Sequence, residues 1–435
     1  MIMSNPTPYP FSVHSPSHET HRIGFVSTRF SGTDGVSLET EKWAGVLREL
    51  GHELFFFAGL NDKPGNVSYQ IPEANLYHPE IQEIYEKAFS MRRRPRELTL
   101  NIHRLAERLA DHLANYVRQF EIDLLVVQNA LAIPMNIPLG LALTEFIAET
   151  GIPTIAHHHD FFWERKRFLV NCVWDYLNMA FPPHLPSIRH VVINTSAQNQ
   201  LSLRTGISSM LIPNVMDFEH PPQDDDHYAD ELRQDLNFQP DELFILQPTR
   251  VVQRKGIENA IELVRRLGMK ARLVISHASG DEGYEYERHV RKYAELLEVP
   301  VNFVSEIILE QRSRTHDGQK IYSLADAYQK CDLVTYPSTI EGFGNAFLEA
   351  IYFRKPVIVN NYSIFSTDIK PKGFNVIEFD GFITEQTIEK TRQVLQNAAL
   401  RKDMIELNYA LGVRFFSFAV LKRRLETLIS DCFGE

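Results

Sequence analysis

Tyr336-Pro-Ser-Thr-Ile-Glu341-Gly342-Phe343-Gly344-Asn345-Ala-Phe-Leu-Glu349 follows the apolar run Leu333–Tyr336 and enters a helical pattern over Asn345–Phe353. A strand, a glycine turn and a helix in that order form one unit of a parallel α/β fold. Gly342 and Gly344 let backbone approach a ligand, and the free N–H groups at the start of the Asn345 helix suit a phosphate. Glu349 sits among Phe347, Leu348, Ala350, Ile351, Tyr352 and Phe353. A carboxylate there needs dedicated partners. The two O–H groups of a vicinal diol would serve, and so would a neighbouring arginine or backbone N–H.

Working outward, the same alternation recurs. Strands are expected at Ile23–Thr28, Leu54–Ala58, Leu124–Gln128, Thr154–His157 and Val191–Asn194, with helices at Leu38–Leu50 and through most of Glu80–Phe120. A second series runs from Phe244–Gln247 through helix Ile257–Leu267, strand Arg272–Ser276, helix Glu285–Leu297, strand Val301–Val304, helix Tyr322–Lys330 and strand Leu333–Tyr336 to Val357–Asn360. Two series predict two doubly wound domains facing a cleft. Leu407, Leu411, Phe415, Phe418 and Leu421 predict one long amphipathic helix over Lys402–Leu428.

Three more stretches lie at strand-to-helix turns. Thr249-Arg250-Val-Val-Gln-Arg254-Lys255-Gly256 offers a guanidinium and an ammonium to a diphosphate, although such a loop also reads as a solvated surface. Ser31-Gly-Thr-Asp-Gly35-Val-Ser-Leu-Glu39 lies where open α/β sheets bind ligands. No Gly-x-Gly-x-x-Gly follows a strand, which argues against a nicotinamide dehydrogenase. In Ala156-His157-His158-His159-Asp160-Phe-Phe-Trp163, alternation places His157 and His159 on one face and His158 on the other. Metal ligation, satisfied core histidines and a polar cluster at the cleft are the three readings of this run.

Lys and Arg number 45 against 56 Asp and Glu, and the resulting −11 excludes a protein built to grip nucleic acid. Met216–Glu242 holds ten acidic residues and one basic residue, Arg233, so it carries −9 of that charge and leaves −2 elsewhere. It reads as an acidic linker in which Leu232, Leu236 and Phe238 can pack one short helix, and its Asp224-Asp225-Asp226 run reads as solvated rather than metal-binding. The expected organisation is a flexible leader at 1–21, an acceptor domain at 22–215, the linker at 216–242, a donor domain at 243–405 and, at 406–435, a helix crossing back to the first domain. Cys172, Cys331 and Cys432 have no paired spacing, and the leader has no signal-peptide pattern. Ala130–Leu143 is too short and too polar to span a membrane. These features predict a cytoplasmic protein.

Together the motifs resemble the retaining glycosyltransferases of family 4, of the GT-B fold, from about Arg22 to the C-terminal helix. Glu341 and Glu349 match the Glu-x7-Glu signature, and Arg250-x4-Lys255-Gly256 and Ile212-Pro213-Asn214 match as well. Val215-Met216-Asp217 departs from the glycine that many members carry after Pro-Asn. The histidine run and Asn360-Asn-Tyr are similar to those of members that make compatible-solute glycosides, of the mannosylglucosylglycerate synthase type.

The resemblance implies a hexosyltransferase that uses a nucleoside diphosphate sugar of the GDP-mannose or UDP-glucose type. The acceptor would be a small hydroxyl compound such as glucosylglycerate, and no cofactor or essential metal is implied. Glu349 would hold the ribose, while Glu341, Phe343, Gly344 and Asn345 would cradle sugar and phosphate. Arg250 and Lys255 would stabilise the leaving diphosphate, the Gly35 turn would close over the phosphates, and His159 would stand beside the donor sugar. Asn129, Asp160 and Trp163 are the expected acceptor contacts. A sugar-nucleotide epimerase of the same fold and a two-domain solute-binding protein are the alternatives.

Overall fold

The computed structural model describes residues 20–32, 35–222, 226–279 and 283–434. Its first sheet comprises β1 (Arg22–Val26), β2 (Glu53–Ala58), β3 (Ser68–Gln70), β4 (Leu124–Gln128), β5 (Thr154–His158), β6 (Ile188–Val192) and β7 (Ser209–Leu211), in the spatial order β3-β2-β1-β4-β5-β6-β7. The second comprises β8 (Leu243–Gln247), β9 (Ala271–Ile275), β10 (Val301–Phe303), β11 (Leu333–Tyr336), β12 (Val357–Asn360) and β13 (Ile377–Phe379), in the order β10-β9-β8-β11-β12-β13. All pairings within both sheets are parallel.

Side-chain alternation explains the apolar runs. In β8, Phe244 and Leu246 enter one core and Ile245 the other, so both faces are covered and the run from Leu243 to Leu246 is apolar. Strand order reverses between β1 and β4 and again between β8 and β11, and ligands of open α/β sheets bind at such switch points. Because Ile245 pairs with Leu333 and Leu246 with Val334, the loops that follow β8 and β11 leave the sheet as neighbours.

Three expectations change. The helix expected from Tyr322 begins at Leu324, because Tyr322 pairs with Ile308 in a small sheet and Ser323 caps the helix by accepting from Asp326 N. The long helix over Lys402–Leu428 is two helices, Ala398–Phe416 and Phe418–Phe433, broken at Ser417 in extended conformation. Leu421, Leu425, Leu428 and Ile429 of the second helix join Ile23, Phe25 and Trp43 in the first domain's core.

The acidic stretch is more than a tether. Ala229, Leu232 and Leu236 are buried in the second domain's core, and Asp226, Asp230, Glu231, Asp241 and Glu242 pair with Arg312, Lys330, Lys320, Lys270 and Arg272 of that domain. Asp224 and Asp225 lie outside the described residues.

Candidate functional site

The loop between β11 and the Asn345–Tyr352 helix is set by close backbone approach. Gly344 has φ +128°, and a Cβ there would stand 2.3 Å from Tyr362 Oη, whose hydroxyl donates to Phe343 O at 2.8 Å. Only glycine meets both conditions. Gly256, at φ +58°, would bring a Cβ to 2.7 Å from Pro337 O, and Thr339 donates from N (2.8 Å) and Oγ1 (3.1 Å) to Arg254 O. The basic loop and the glycine loop therefore form one backbone unit.

Lys255 is buried and ion-paired with Glu341, while Arg254 stands 3.8 Å from the other oxygen of that carboxylate. Burial draws the Lys255 pKa down, and Glu341 opposes the shift. Arg250 is exposed, with no guanidinium ion pair among the described residues. His277, which follows β9, is held below its ordinary pKa by burial and by Arg250 and Lys255, and its Nδ1 meets Ser276 Oγ at 2.7 Å. These groups place three cations and an imidazole at the switch point.

Glu349 accepts a hydrogen bond from Tyr328 Oη at 2.8 Å. Burial pushes its pKa up, against the pull of Tyr328, Lys42 and Lys255. Lys42 comes from the first domain, on helix Gly35–Glu49, and donates to Val215 O (2.6 Å) and to the fully buried Glu39 (3.0 Å). Gly35 is the exposed first residue of that helix, whereas Thr33 and Asp34 of its turn lie outside the described residues.

Across the cleft, the histidine run divides as alternation predicts. His157 is buried, stacks on Trp43 at 4.2 Å between centroids, and shares Gln128 Oε1 with His159 (3.0 and 3.3 Å). His158 pairs with His190 at 2.9 Å. Burial lowers the pKa of all three buried histidines, that of His190 to about 4. Among the described residues no group of three His, Cys, Asp or Glu side chains is arranged to hold a metal ion. His159 is partly exposed and its backbone carbonyl faces Gly342, 3.6 Å from a Cβ built there. Asn129, at φ +58°, accepts from His159 N at 3.1 Å and donates to Asp160 at 3.2 Å. Trp163 is stacked on Phe161 at 4.5 Å between ring centroids.

Three further contacts join the domains. Asn194 donates to Gly342 O (2.7 Å), Asn214 to Asn345 Oδ1 (2.7 Å), and Thr195 N to Asp368 (2.9 Å). Phe343 is buried against Phe416, so the glycine loop also touches the chain's return crossing. Lys42, His277, Asn194, Tyr328 and Asp368 escaped sequence reasoning. Each acquires its meaning from a partner, in several cases more than 100 residues away.

The family model for glycosyl transferases group 1 matches residues 229–410. The chain is 32% identical to a mannosylglucosylglycerate synthase of Thermotoga maritima, covering 94% of this chain and 99% of the relative. It is also 32% identical to the enzyme of that name from Petrotoga mobilis, over 82% and 86% of the two chains. Among solved structures it resembles a glycosyltransferase from Rickettsia africae with TM-score 0.67 at 14% identity, covering 95% and 99%. Anabaena HepE, solved with UDP-glucose, aligns with TM-score 0.64 at 12% identity, covering 94% and 100%. At these identities the likeness is one of fold, the two-domain GT-B arrangement.

Proposed function

The chain belongs to the group 1 glycosyl transferases, and from that premise we propose that it moves a hexose from a nucleoside diphosphate sugar to a hydroxyl of a small glycoside such as glucosylglycerate. The acceptor class follows the names of the two relatives. We further propose retention at the anomeric carbon, no essential divalent metal and a cytoplasmic setting. The observation that carries the reading is the convergence of Lys255, Arg250 and the start of the Asn345 helix on one switch point, opposite His159.

Negative charge grows on the diphosphate as the glycosidic bond to it breaks. Cations and N–H groups fixed beforehand lower the barrier where that charge develops. Lys255 is held ready by Glu341, and Arg250 keeps its paired donors for phosphate oxygens. Glu349 accepts from the ribose hydroxyls, with Tyr328 fixing its carboxylate. Phe343, Gly344 and Asn345 cradle sugar and phosphate, the Gly35 turn closes from the other domain, and His159 faces the sugar. Asn129, Asp160 and Trp163 belong to the acceptor side. No protein nucleophile is assigned, and the departing phosphate takes the acceptor's proton. Closure of the cleft limits hydrolysis.

The test is a panel of nucleotide sugars with and without glucosylglycerate, with the product's anomeric configuration read by NMR and a parallel arm in chelator. A retained α-glycoside formed at an undiminished rate in chelator supports transfer, retention and metal independence together. Inversion, or loss of rate in chelator, overturns that part alone. Isomerisation of the donor without acceptor overturns transfer in favour of the epimerase, and binding without turnover favours the solute-binding protein.

A further inference from the structure

The first domain's edge carries a run of charge that the transfer chemistry leaves unused. Directly after His159 and Asp160 the chain makes two single turns, Phe162–Glu164 and Lys166–Phe168, which set Arg165, Lys166 and Arg167 on consecutive exposed positions. Phe161, Phe162 and Phe168 are buried in the apolar core beneath, so these cations stand on a fixed backbone. The two carboxylates of the same stretch are already engaged. Glu164 accepts from Phe161 N (2.7 Å) and Gln200 (3.4 Å), and Asp160 accepts from Asn129 (3.2 Å) and Arg165. Arg204 adds a further cation over the Trp163 ring at 5.4 Å. In a chain of net charge −11, this is a local positive excess beside the cleft.

Arg165 is the cation connected to the reaction centre. Its Asp160 partner is bonded by Asn129, and Asn129 also holds His159 N, the residue whose carbonyl faces Gly342 of the donor loop. Nε and one terminal nitrogen of Arg165 point at Asp160, and the side chain is 46% exposed. A guanidinium has five N–H donors in a rigid fork, so an edge remains for a second carboxylate. An ion pair this exposed adds little to stability, which leaves its position at the acceptor side to be explained by binding.

We propose that Arg165 receives the carboxylate of an anionic glycoside acceptor and so selects acidic over neutral acceptors. The proposal rests on the transferase reading above. The test compares the wild type with Arg165→Gln and Arg165→Lys on glucosylglycerate and on glucosylglycerol, its uncharged counterpart, with donor affinity measured in parallel by calorimetry. For Arg165→Gln the KM of the acid should rise tenfold or more, while kcat, donor affinity and the KM of the neutral acceptor stay within twofold. Arg165→Lys should recover part of the preference. Equal losses on both acceptors mean that Arg165 only positions Asp160, and unchanged preference means that it does not touch the acceptor; either result overturns the proposal. Wild-type protein that turns over neither acceptor with any donor would instead overturn the acceptor class itself.

Discussion

The two sheets end in edges of opposite construction. At the second, backbone is the frame: Gly256 lies against Pro337, Thr339 against Arg254, and the Phe343–Gly344 backbone against the Tyr362 hydroxyl, with Lys255 and Arg250 mounted on it. At the first, side chain meets side chain, from Trp43 through His157, Gln128 and His159 and from Asn129 to Asp160 and Arg165. A frame of backbone would hold the proposed phosphate site with little freedom to drift. A frame of side chains can be altered one residue at a time, which suits the half of the site proposed to choose its acceptor.

The contrast breaks most sharply at glycine. Gly344→Ala forces a Cβ into Tyr362 Oη at an unfavourable φ, so melting should reveal a loss of at least ~3 kcal/mol, and transfer should vanish. Gly35→Ala meets no described atom within 4 Å and should leave the melting temperature unchanged, so any fall in donor affinity there reports contact with the phosphates. Equal melting behaviour of the two variants would erase the distinction between the edges.

Lys255→Met comes next, with kcat expected to fall about 100- to 1000-fold, or ~3–4 kcal/mol, while a nucleoside without phosphates binds as before. Glu349→Ala should weaken donor binding by ~2–3 kcal/mol in calorimetry. Burial raises the Glu349 pKa, so wild-type donor affinity should decline as pH falls through that raised value and the Glu349 carboxylate is protonated. Glu349→Gln should bind more weakly and flatten that dependence. A variant that keeps the slope would assign the titration to another group.

The smallest effect tests the first edge. His157, His158 and His190 have folded pKa values below their unfolded value near 6.5, that of His190 at about 4, so the unfolded chain binds more protons between those limits. Stability should therefore fall as pH drops from about 6.5 toward 4. A melting temperature flat across that window would mean that the histidines are not buried as neutral groups.

What the chain reveals before folding follows from range. Leu333–Tyr336 is an apolar run buried on both faces, and Glu349 stands out because its neighbours are apolar, so both are legible locally. Ser68–Gln70, Ser209–Leu211 and Ile377–Phe379 have three residues each, and their extended form comes from the adjoining ladder rather than from their own pattern. Helical periodicity runs straight through Ser417 because the break barely disturbs it. The Lys42 bond to Val215, the Asn194 bond to Gly342 and the Asp368 bond to Thr195 span 173, 148 and 173 residues, which no window of sequence contains.

Ser417 has one more consequence. The chain leaves the first domain at Val215–Met216 and returns at Phe416–Ser417, where Met216 N bonds Phe416 O at 2.8 Å and Glu219 accepts from Phe418 N and Ala419 N. The second domain is thus an insertion whose two ends lie side by side. A stop codon after Phe416 would spare it and instead strip Leu421, Leu425, Leu428 and Ile429 from beside Ile23 and Trp43, so the damage would fall on the half of the molecule encoded nearly 400 codons upstream.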